Sequence, residues 1–439
     1  MRVSVIGCGH LGIPHAAAMA ELGHEVIGVD VDRSKVDRLN AGECPIYETG
    51  LPDLLTRHTA AGRLRFTTDV REAAAFAELH FIGVGTPIDA DGRSYDTGQV
   101  YGAIRQLAPH LARPCTIVGK STVTVGTTAQ VTALAQRLAP ARSAVEVVWN
   151  PEFLREGHAV EDTLRPDRII AGLTTAAGEK AIRAVYAPIL DTGVPLFVTD
   201  PQTAELAKGA ANTFLGLKIS YINAVADMCD AAGGDVSRIV DILGIDPRIG
   251  SGGMRPGIGY GGGCLPKDVR AFTASARQLG ADRAAGLLRA AEEINESRTP
   301  VAVALVTRAL GRPLAGAAIT VWGAAFKPGT NDVRESPALS LAQALRQAGA
   351  SVTVHDPQAV ATAMRRNPEF EYTEDLAPSV HGAEAVVLAT EWPEYREADP
   401  AALVSAPAHP LMVDCRTTLD ADRWRAAGWT IHQLGRPGR

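Results

Sequence analysis

The stretch Val3-Ser-Val-Ile-Gly-Cys-Gly-His-Leu-Gly12 places three glycines directly after an apolar strand candidate and before a helical stretch. Gly7 permits a tight turn, Gly9 lets the backbone approach a pyrophosphate, and Gly12 allows close helix packing. The next strand candidate ends in Asp30, eighteen residues past Gly12, where a carboxylate would bind ribose hydroxyls and repel a 2′-phosphate. The pattern predicts a dinucleotide site that prefers NAD over NADP. A chance glycine turn or a methyltransferase loop is the alternative.

The composition is that of a large globular chain with a small acidic excess. Of its 439 residues, 46% are hydrophobic and 21% are charged, with 43 basic residues against 49 acidic ones. At roughly 100 to 200 residues per domain, this length predicts two to four domains. Because the net charge of −6 leaves no basic surplus, a nucleic-acid partner is not expected.

Cysteine usage and the lengths of the apolar runs indicate the compartment. The six cysteines are spread widely, without a C-x-x-C pair or a His cluster at zinc-ligand spacing, so no disulfide framework and no metal site is predicted. The sequence has no apolar run of about 18 to 20 residues, so no membrane-spanning helix is predicted. The simplest interpretation is a cytoplasmic protein without a membrane partner.

Short apolar runs alternate with Ala-rich helical stretches at both ends of the chain, which predicts parallel sheets covered on both faces. The strand candidates are Val3–Ile6, Glu25–Val29, His80–Val84, Thr116–Val118, Val145–Val148, Arg168–Ala171, Ile319–Trp322, Ser351–Val354, Ala385–Ala389 and Leu411–Asp414. In the middle, a long helical run from Pro201 ends in a glycine pair, and a loop over Gly250–Gly263 precedes a second helical stretch, Asp268–Asn295. The predicted fold class is α/β, with two Rossmann-like parallel-sheet domains joined by a central all-α domain, the boundaries being 1–200, 201–300 and 301–439.

A second glycine-rich stretch ends in a cysteine. The sequence GIGYGGGCLPKD, residues 257–268, places Cys264 at the expected start of a helix, next to Lys267 and Asp268. The helix dipole and the ammonium would stabilise a thiolate there. The alternative is an inert buried thiol, as we expect for the other five cysteines, but this position favours a nucleophile.

Two further motifs combine charged and apolar residues. Glu152 and Glu156 are four residues apart and would lie on one side of the segment if it is helical, although such a pair is often only a solvated face. Lys208 and Asn212 share one face of a helix among small residues, so Lys208 either extends to solvent or is buried and functional.

A nicotinamide site together with a reactive thiol suggests a two-stage oxidation. Hydride loss from an alcohol gives an aldehyde, and a thiolate captures the aldehyde as a thiohemiacetal. Loss of a second hydride gives a thioester, which water hydrolyses to an acid. Such an enzyme needs one cysteine, one proton acceptor, oxyanion donors and a carboxylate that organises water.

Taken together, these motifs resemble the nucleotide-sugar 6-dehydrogenase family (UDP-glucose/GDP-mannose dehydrogenases), essentially end to end and most closely its bacterial UDP-glucose branch. The matching segments are Gly7-x-Gly9-x-x-Gly12 with Asp30, Gly85-Thr86-Pro87, Lys120-Ser-Thr122-Val, Asn150-Pro-Glu-Phe-Leu-Arg-Glu156-Gly, Arg165-Pro-Asp-Arg168, Lys208-x-x-x-Asn212, Gly-Gly-Cys264-Leu-Pro-Lys267-Asp268 and Phe326-Lys327-x-x-Thr-x-Asp-x-Arg334-Glu-Ser. The resemblance implies oxidation of the C6 hydroxyl of a nucleotide sugar to the carboxylate, UDP-glucose to UDP-glucuronate, with two NAD per turnover.

The resemblance also implies roles for individual residues. The implied catalytic positions are Cys264 as nucleophile, Lys208 and Asn212 around the oxygen at C6, Asp268 for water and proton transfer, Glu152 for thioester hydrolysis and Thr122 for placing water. The implied cofactor positions are Gly7, Gly9, Gly12, Asp30, Lys35, Thr86, Thr122, Glu156, Lys267 and Arg334. The implied sugar-nucleotide positions are Glu152, Phe153, Leu154, Lys208, Asn212, Arg248, Gly253, Gly257, Gly261, Lys327 and Arg416.

Arg248 matches an arginine that reaches the substrate from a neighbouring subunit, so the resemblance implies a homodimer joined through the central helices. The first domain would then bind NAD and the last the sugar nucleotide. The sequence departs from the commoner family pattern at three positions: Gly263 replaces a Ser, Thr124 a Pro and Cys415 a Gly. These departures leave the preferred sugar and base open.

Several alternatives stay open at this point. A GDP-mannose 6-dehydrogenase is favoured by Met254-Arg-Pro-Gly257 and opposed by Asp246-Pro-Arg-Ile-Gly, and a dTDP-glucose substrate is a further alternative. The β-hydroxyacid dehydrogenases share the fingerprint and the Lys-x-x-x-Asn helix but need no nucleophilic cysteine. A dinucleotide-sensing protein that kept the fold without the chemistry is the non-enzymatic alternative. The pathway, assembly beyond a dimer and feedback regulation are not predicted.

Overall fold

The computed structural model describes residues 1–90, 92 and 94–436. The chain forms two compact units: unit 1 runs from Met1 to Ala211, and unit 2 begins at Asn212. The long helix Pro201–Ala232 continues through the point of division. The predicted domain boundaries at 200 and 300 stay a prediction.

Unit 1 contains a large sheet. Its strands are β1 (Arg2–Ile6), β2 (Glu25–Val29), β3 (Leu64–Thr67), β4 (Leu79–Ile82), β5 (Cys115–Gly119), β6 (Val145–Trp149), β7 (Ile169–Gly172) and β8 (Leu196–Thr199). The sheet order in the described chain is β3-β2-β1-β4-β5-β6-β7-β8. The first six of these strands follow the order of a doubly wound dinucleotide-binding fold. The strands are parallel except at β7, which pairs antiparallel with β6.

Helices cover both faces of this sheet. They are α1 (Gly12–Glu21), α2 (Arg33–Asn40), α3 (Leu51–Ala60), α4 (Val70–Phe76), α5 (Gly98–Leu107), α6 (Thr127–Leu138), α7 (Ala159–Leu164), α8 (Ala176–Val185) and α9 (Ala187–Leu190). One apolar core includes Ile13 of α1 and Leu55 of α3, and the other includes Ile104 of α5 and Val131 of α6. Strands buried on both faces explain the continuous apolar runs in the sequence.

Unit 2 combines long helices with a second sheet. After α10 (Pro201–Ala232), the helices are α11 (Val236–Ile245), α12 (Leu265–Gln278), α13 (Asp282–Leu310), α14 (Pro337–Gln347), α15 (Val360–Arg366), α16 (Leu376–Ser379), α17 (Pro393–Glu397), α18 (Pro400–Leu403) and α19 (Ala421–Ala426). The strands are β9 (Ala318–Trp322), β10 (Ser351–His355), β11 (Glu371–Thr373), β12 (Ala385–Leu388), β13 (Leu411–Asp414) and β14 (Thr430–Gln433). They form a parallel sheet in the order β11-β10-β9-β12-β13-β14, the same winding as in unit 1.

The predicted fold class, two Rossmann-like sheets and a helical region with a long helix, is confirmed. Each predicted strand is present within two residues of its predicted ends, and the long helix ends just before Gly233. The predicted helical stretch Asp268–Asn295 is wrong in detail, since Gly280 with φ 74° separates α12 from α13. A residue in this left-handed region ends a helix. The strands missed by the sequence are β3, β8, β11 and β14.

The two sheets enter their first loops in the same way. Gly7 after β1 has φ 96°, and its N–H donates to the Val29 oxygen at 2.8 Å. Gly323 after β9 has φ 119°, and its N–H donates to the His355 oxygen at 2.7 Å. Both positions require a backbone conformation that only glycine adopts without strain.

An aspartate follows the second strand of each sheet and accepts a hydrogen bond from the first loop. Asp30 accepts from the Cys8 N–H at 3.0 Å, and Asp356 accepts from the Ala324 N–H at 2.8 Å. The local geometry of the dinucleotide fingerprint is therefore present twice in the chain.

In the described part of the chain, no helix is long and apolar enough to cross a membrane. The same residues contain no group of three or more His, Cys, Asp or Glu side chains placed to hold a metal ion.

Candidate active site

The glycine loop of unit 1 is shaped for close approach by a ligand. A Cβ on Gly12 would overlap the Gly7 carbonyl oxygen, so Gly12 is required by packing between the loop and α1. A Cβ on Gly9 would meet no atom within 4 Å, so the backbone here borders open space at the N-terminal end of a helix. This combination suits an anion bound by backbone N–H groups.

Asp30 is fixed beside this loop. Its carboxylate accepts from the N–H groups of Cys8 and Asp32, each at 3.0 Å, and pairs with the Lys35 ammonium at 2.9 Å. A carboxylate has about four acceptor positions, so three donors leave capacity for one more. Lys35, a predicted cofactor residue, is thus already next to the predicted ribose-binding acid.

Three further predicted cofactor residues follow the carboxyl ends of neighbouring strands. Thr86 follows β4, Thr122 follows β5 and Glu156 follows β6. Thr86 and Thr122 are buried, and Glu156 is half-buried. In a doubly wound sheet, ligands bind at this edge.

Glu152 and Glu156 lie in an irregular segment, Asn150–Gly157, so the expectation that they share a helical face is wrong. Glu152 instead folds back and accepts from the Leu154 N–H at 2.7 Å. At the far end of the segment, buried Glu48 accepts from the N–H groups of Gly157 at 2.8 Å and of Ala159 at 2.7 Å. Those bonds hold the end of the segment in place, although the segment forms no helix.

Lys208 is buried, with 5% of its side chain exposed, so it does not extend to solvent, and its functional role stays a prediction. Its ammonium lies 3.1 Å from the Glu152 carboxylate and 5.3 Å from the centre of the Phe153 ring. Unit 1 therefore brings together the acid predicted to assist thioester hydrolysis and the lysine predicted to bind the oxygen at C6, in a buried environment where such pairs interact more strongly than in water.

Unit 2 presents the candidate nucleophile. Cys264 is exposed and is the N-terminal capping residue of α12, as predicted. Lys267 and Asp268 follow in the first turn of that helix. A thiolate at this position would face the positive end of the helix dipole.

Asp268 is fully buried and is contacted from two sides. The Asn212 amide donates to one carboxylate oxygen at 2.5 Å, and the Lys267 ammonium lies 2.5 Å from the other. Unit 2 thus brings together three residues that the sequence assigned to the site, one of them from α10.

The glycine loop of unit 2 is densely packed. Gly257 donates to the Asn223 side chain at 2.8 Å, and a Cβ on Gly257 would lie 2.8 Å from the Cys415 oxygen. A Cβ on Gly261 would overlap the Glu335 oxygen. These glycines are therefore required by backbone packing. Gly253, with φ 76°, is required by its conformation.

Arg416 binds this loop, and Lys327 is a second predicted basic residue of unit 2. The Arg416 guanidinium donates to the Gly259 oxygen at 3.0 Å and the Ala389 oxygen at 2.7 Å, and only 12% of the side chain is exposed. Lys327 is half-buried, with its ammonium 5.8 Å from the centre of the Phe326 ring.

Two predicted arginines pair with neighbouring acids. Arg334 donates to Asp332 at 2.7 Å. Arg248 pairs with Asp246 at 2.6 Å while 86% of its side chain is exposed, so unit 2 does not bring it to the Asn212–Asp268 pair.

Two buried acids that shape the site were not predicted from the sequence. Glu48 caps the end of the Asn150–Gly157 segment, as described above. Glu205 on α10 accepts from the N–H groups of Gly126 and Thr128, each at 2.6 Å, and so joins α10 to the start of α6. A lone acid in an apolar stretch was the available signal for Glu205, and no pattern marked Glu48.

Comparisons with known proteins cover the whole chain. Three models of the UDP-glucose/GDP-mannose dehydrogenase family match: the NAD binding domain over residues 1–190, the central domain over 202–297 and the UDP binding domain over 320–421. A UDP-glucose 6-dehydrogenase of Rhizobium meliloti is 38% identical over 439 residues, with 100% of both chains covered. That of Pseudomonas aeruginosa is 40% identical over 447 residues, covering 100% of this chain and 98% of its own.

A solved structure agrees with these matches. The UDP-glucose dehydrogenase from the hyperthermophilic archaeon Pyrobaculum islandicum is 37% identical, with a TM-score of 0.91 over 100% of this chain and 98% of its own. The full-length similarity and the order of the three matched domains show that this chain belongs to the UDP-glucose/GDP-mannose dehydrogenase family.

Proposed function

We propose that this chain oxidises the C6 hydroxyl of UDP-glucose to the carboxylate in two NAD-dependent steps, giving UDP-glucuronate. The observation that carries the proposal is the exposed Cys264 at the start of α12, in the same first turn as buried Asp268. A two-electron alcohol dehydrogenase needs no such thiol. The names of the full-length relatives support the choice of UDP-glucose.

The NAD-binding residues of unit 1 fit the cofactor. Open space in front of Gly9 and the remaining acceptor capacity of Asp30 suit a pyrophosphate and a ribose. Bound NAD would supply the hydride acceptor for each oxidation. The residues of unit 1 proposed to hold it are Gly7, Gly9, Gly12, Asp30, Lys35, Thr86, Thr122 and Glu156. Lys267 and Arg334 of unit 2 are assigned to the cofactor as well.

In the first oxidation, the C6 alcohol loses a proton and a hydride to become an aldehyde. Lys208 and Asn212 are one helical turn apart on α10, and we assign them to the oxygen at C6, where an ammonium and an amide N–H stabilise developing negative charge. Asp268 is assigned as the proton acceptor, since its carboxylate is already oriented by Asn212 and Lys267.

In the second oxidation, the Cys264 sulfur forms a bond to the aldehyde carbon as the carbon–oxygen double bond becomes single, and the thiol proton passes to that oxygen. The resulting thiohemiacetal loses a hydride and the hydroxyl proton to give a thioester. Glu152, assisted by Thr122, then activates water. The water oxygen bonds to the thioester carbon, the carbon–sulfur bond breaks, and the thiol and the carboxylate product are released. The full reaction consumes one water and two NAD and releases two NADH and, with the product as a carboxylate, three protons.

The remaining predicted residues are assigned to the sugar nucleotide. Guanidinium and ammonium groups suit a diphosphate, and the glycines of the packed loop are assigned with them through the family motif. This set comprises Phe153, Leu154, Gly253, Gly257, Gly261, Lys327 and Arg416.

The test counts NADH per sugar nucleotide, with UDP-glucose, GDP-mannose and dTDP-glucose in parallel. We expect two NADH per UDP-glucose, and no product acid from Cys264→Ser. Cys44→Ser is the matched control, because Cys44 is half-buried whereas the remaining four cysteines are buried. One NADH per sugar, full activity of Cys264→Ser, or preference for another nucleotide would contradict the proposal.

We further propose a homodimer formed through α10 and α11. Phe214, Tyr221 and Met228 are spaced by seven residues on α10 and are 61%, 58% and 69% exposed, and Ile242 and Ile245 of α11 are 69% and 84% exposed. Apolar side chains at such spacing form a continuous stripe that a second copy would cover. Arg248, which follows α11, would then reach the neighbouring site.

Mixing two inactive variants tests this arrangement. Arg248→Ala keeps Cys264, and Cys264→Ser keeps Arg248, so a mixed dimer contains one complete site. An equal mixture that exchanges subunits should recover about a quarter of the wild-type activity, since half of the dimers are mixed and each has one working site. No recovery, although subunit exchange is shown by labelled chains, would place Arg248 in its own subunit's site.

A further inference from the structure

Lys120 has no role in the mechanism above, yet it is a buried cation in unit 1. It directly follows β5 and is 7% exposed. Its ammonium donates to the Asn150 side-chain oxygen at 3.0 Å and lies 3.4 Å from the Tyr186 hydroxyl oxygen. A buried ammonium is costly unless it is hydrogen-bonded, so its partners indicate what it does.

These partners meet at Asn150. The Tyr186 hydroxyl also donates to the Asn150 oxygen at 2.7 Å, and the Asn150 amide donates to the Ile170 oxygen of β7 at 2.7 Å. Because Asn150 begins the irregular segment that contains Glu152, these bonds fix the start of that segment. Glu48 fixes its end, as described above.

Charge connects Lys120 to the same segment. Burial lowers the pKa of the Lys120 ammonium to about 8; the Glu152 carboxylate acts in the opposite direction, and the Lys208 ammonium adds to the lowering. The other titratable groups around it are Tyr186, whose pKa is raised by burial, and His15 on α1, whose pKa is lowered by burial and by Lys120. Glu152 is thus influenced by two ammonium groups, of which only Lys208 forms a direct ion pair with it.

We propose that Lys120 is a positioning residue for the Glu152–Lys208 pair: it anchors Asn150 and provides a second positive charge that balances the attraction of Glu152 to Lys208. This inference rests on the proposed function. Without that charge, the attraction of Glu152 to Lys208 is no longer balanced, and the lysine is less able to bind the oxygen at C6. Most of the residues assigned to the sugar nucleotide lie outside the Asn150–Gly157 segment, so we expect the affinity for substrate to depend on Lys120 less than the rate does.

The experiment compares Lys120→Met, Lys120→Arg and Tyr186→Phe with the wild type from pH 6.5 to pH 9.5. The wild type should lose kcat above pH 8, as Lys120 loses its proton. Lys120→Met should lower kcat about tenfold at pH 7 with KM for UDP-glucose within about threefold, since a misplaced catalytic group affects the chemical step. Lys120→Arg should keep more activity than Lys120→Met and should show no decline near pH 8.

Tyr186→Phe is the matched control, since it removes a donor to the same Asn150 oxygen without changing charge. It should keep the wild-type pH profile. Wild-type kcat and profile in Lys120→Met would overturn the inference, and so would a Tyr186→Phe variant that reproduces Lys120→Met.

A measurement without substrate separates this inference from the proposed function. In the unfolded chain Lys120 keeps the ordinary lysine pKa of 10.5, so the unfolded state binds more protons between pH 8 and pH 10.5. The melting temperature of the wild type should therefore rise relative to Lys120→Met across this range. Parallel curves would overturn the inference whether or not UDP-glucose is oxidised, whereas the NADH count of the wild type alone decides the function.

Discussion

The loop after β1 and the loop after β9 share one design and use their aspartates differently. Asp30 accepts from three donors, and 9% of the Asp30 side chain is exposed. One of the donors is the partly exposed Lys35. Asp356 has no exposed surface. Its donors are the N–H groups of Ala324 at 2.8 Å, Ala325 at 3.0 Å, Gln358 at 2.9 Å and Ala359 at 2.8 Å, and the Trp392 indole at 3.1 Å.

The difference shows that the fingerprint geometry alone does not make a ribose site. Five donors exceed the roughly four acceptor positions of a carboxylate, so Asp356 is saturated by its own unit. Asp30 keeps capacity for a donor from outside. Function at this position depends on unused hydrogen-bonding capacity and less on the strand-loop-strand pattern.

Substitution of Asp356 should have the largest effect on stability. Asp356→Ala would leave four backbone N–H groups and an indole N–H without their acceptor in a buried region, so we expect a loss of about 3 to 5 kcal/mol in the free energy of unfolding. Denaturant titration of the variant beside wild type measures it. A loss below about 1 kcal/mol would show that Asp356 does not organise the loop.

Acid should weaken unit 1 more than unit 2. Burial lowers the pKa of His80 to about 3 and that of His15 well below its ordinary value, whereas His355 of unit 2 is lowered less and keeps bonds to Tyr395 and Glu374. Since the unfolded state takes up protons below pH 6.5, stability falls as the pH drops through that value. Between pH 8 and pH 5 the loss is about 2 kcal/mol for each fully buried histidine.

Paired variants check this acid effect. His80→Gln should flatten the dependence of unfolding free energy on pH by more than His355→Gln does. If the unfolding free energies of the two variants changed equally with pH, the prediction that acid weakens unit 1 more than unit 2 would be wrong.

Asp30→Ala should have the smallest effect of these substitutions. It should change the binding of NAD more than the stability of the fold. We expect KM for NAD to rise about tenfold, equivalent to about 1.4 kcal/mol, because one ribose acceptor is lost. The free energy of unfolding should change by about 1 kcal/mol or less, because the groups that donate to Asp30 lie at a partly exposed edge of the sheet. An unchanged KM with a large loss of stability would make Asp30 structurally equivalent to Asp356.

Much of this architecture was predictable from local patterns. Gly7, Gly12 and Asp30 stand at their expected places because turn, packing and acid follow each other within one strand-helix-strand unit. Cys264 was predictable as a helix-capping residue because glycines before it and Pro266 after it delimit the helix.

The remaining features depend on contacts distant in sequence. The antiparallel β7 is specified by pairing with β6, and Glu48 acts on residues more than a hundred positions away. No periodicity encodes such contacts. The spacing of Glu152 and Glu156 is compatible with a helix, but their segment is irregular and its end is held by Glu48. Asp356 holds the loop after β9 in the same way, so buried carboxylates can fix a backbone that forms no regular element.

The exposure of Cys264 has a practical consequence for handling the protein. All six cysteines lie in the described residues, and burial raises the pKa of each of the other five, so those thiols stay protonated near neutral pH. A mild alkylating reagent should therefore label one sulfur per chain, and the labelled fraction would report what share of a preparation still has an intact thiol. The same accessibility makes this sulfur the first to be damaged by peroxide during storage, so a reducing agent protects one particular atom more than the fold.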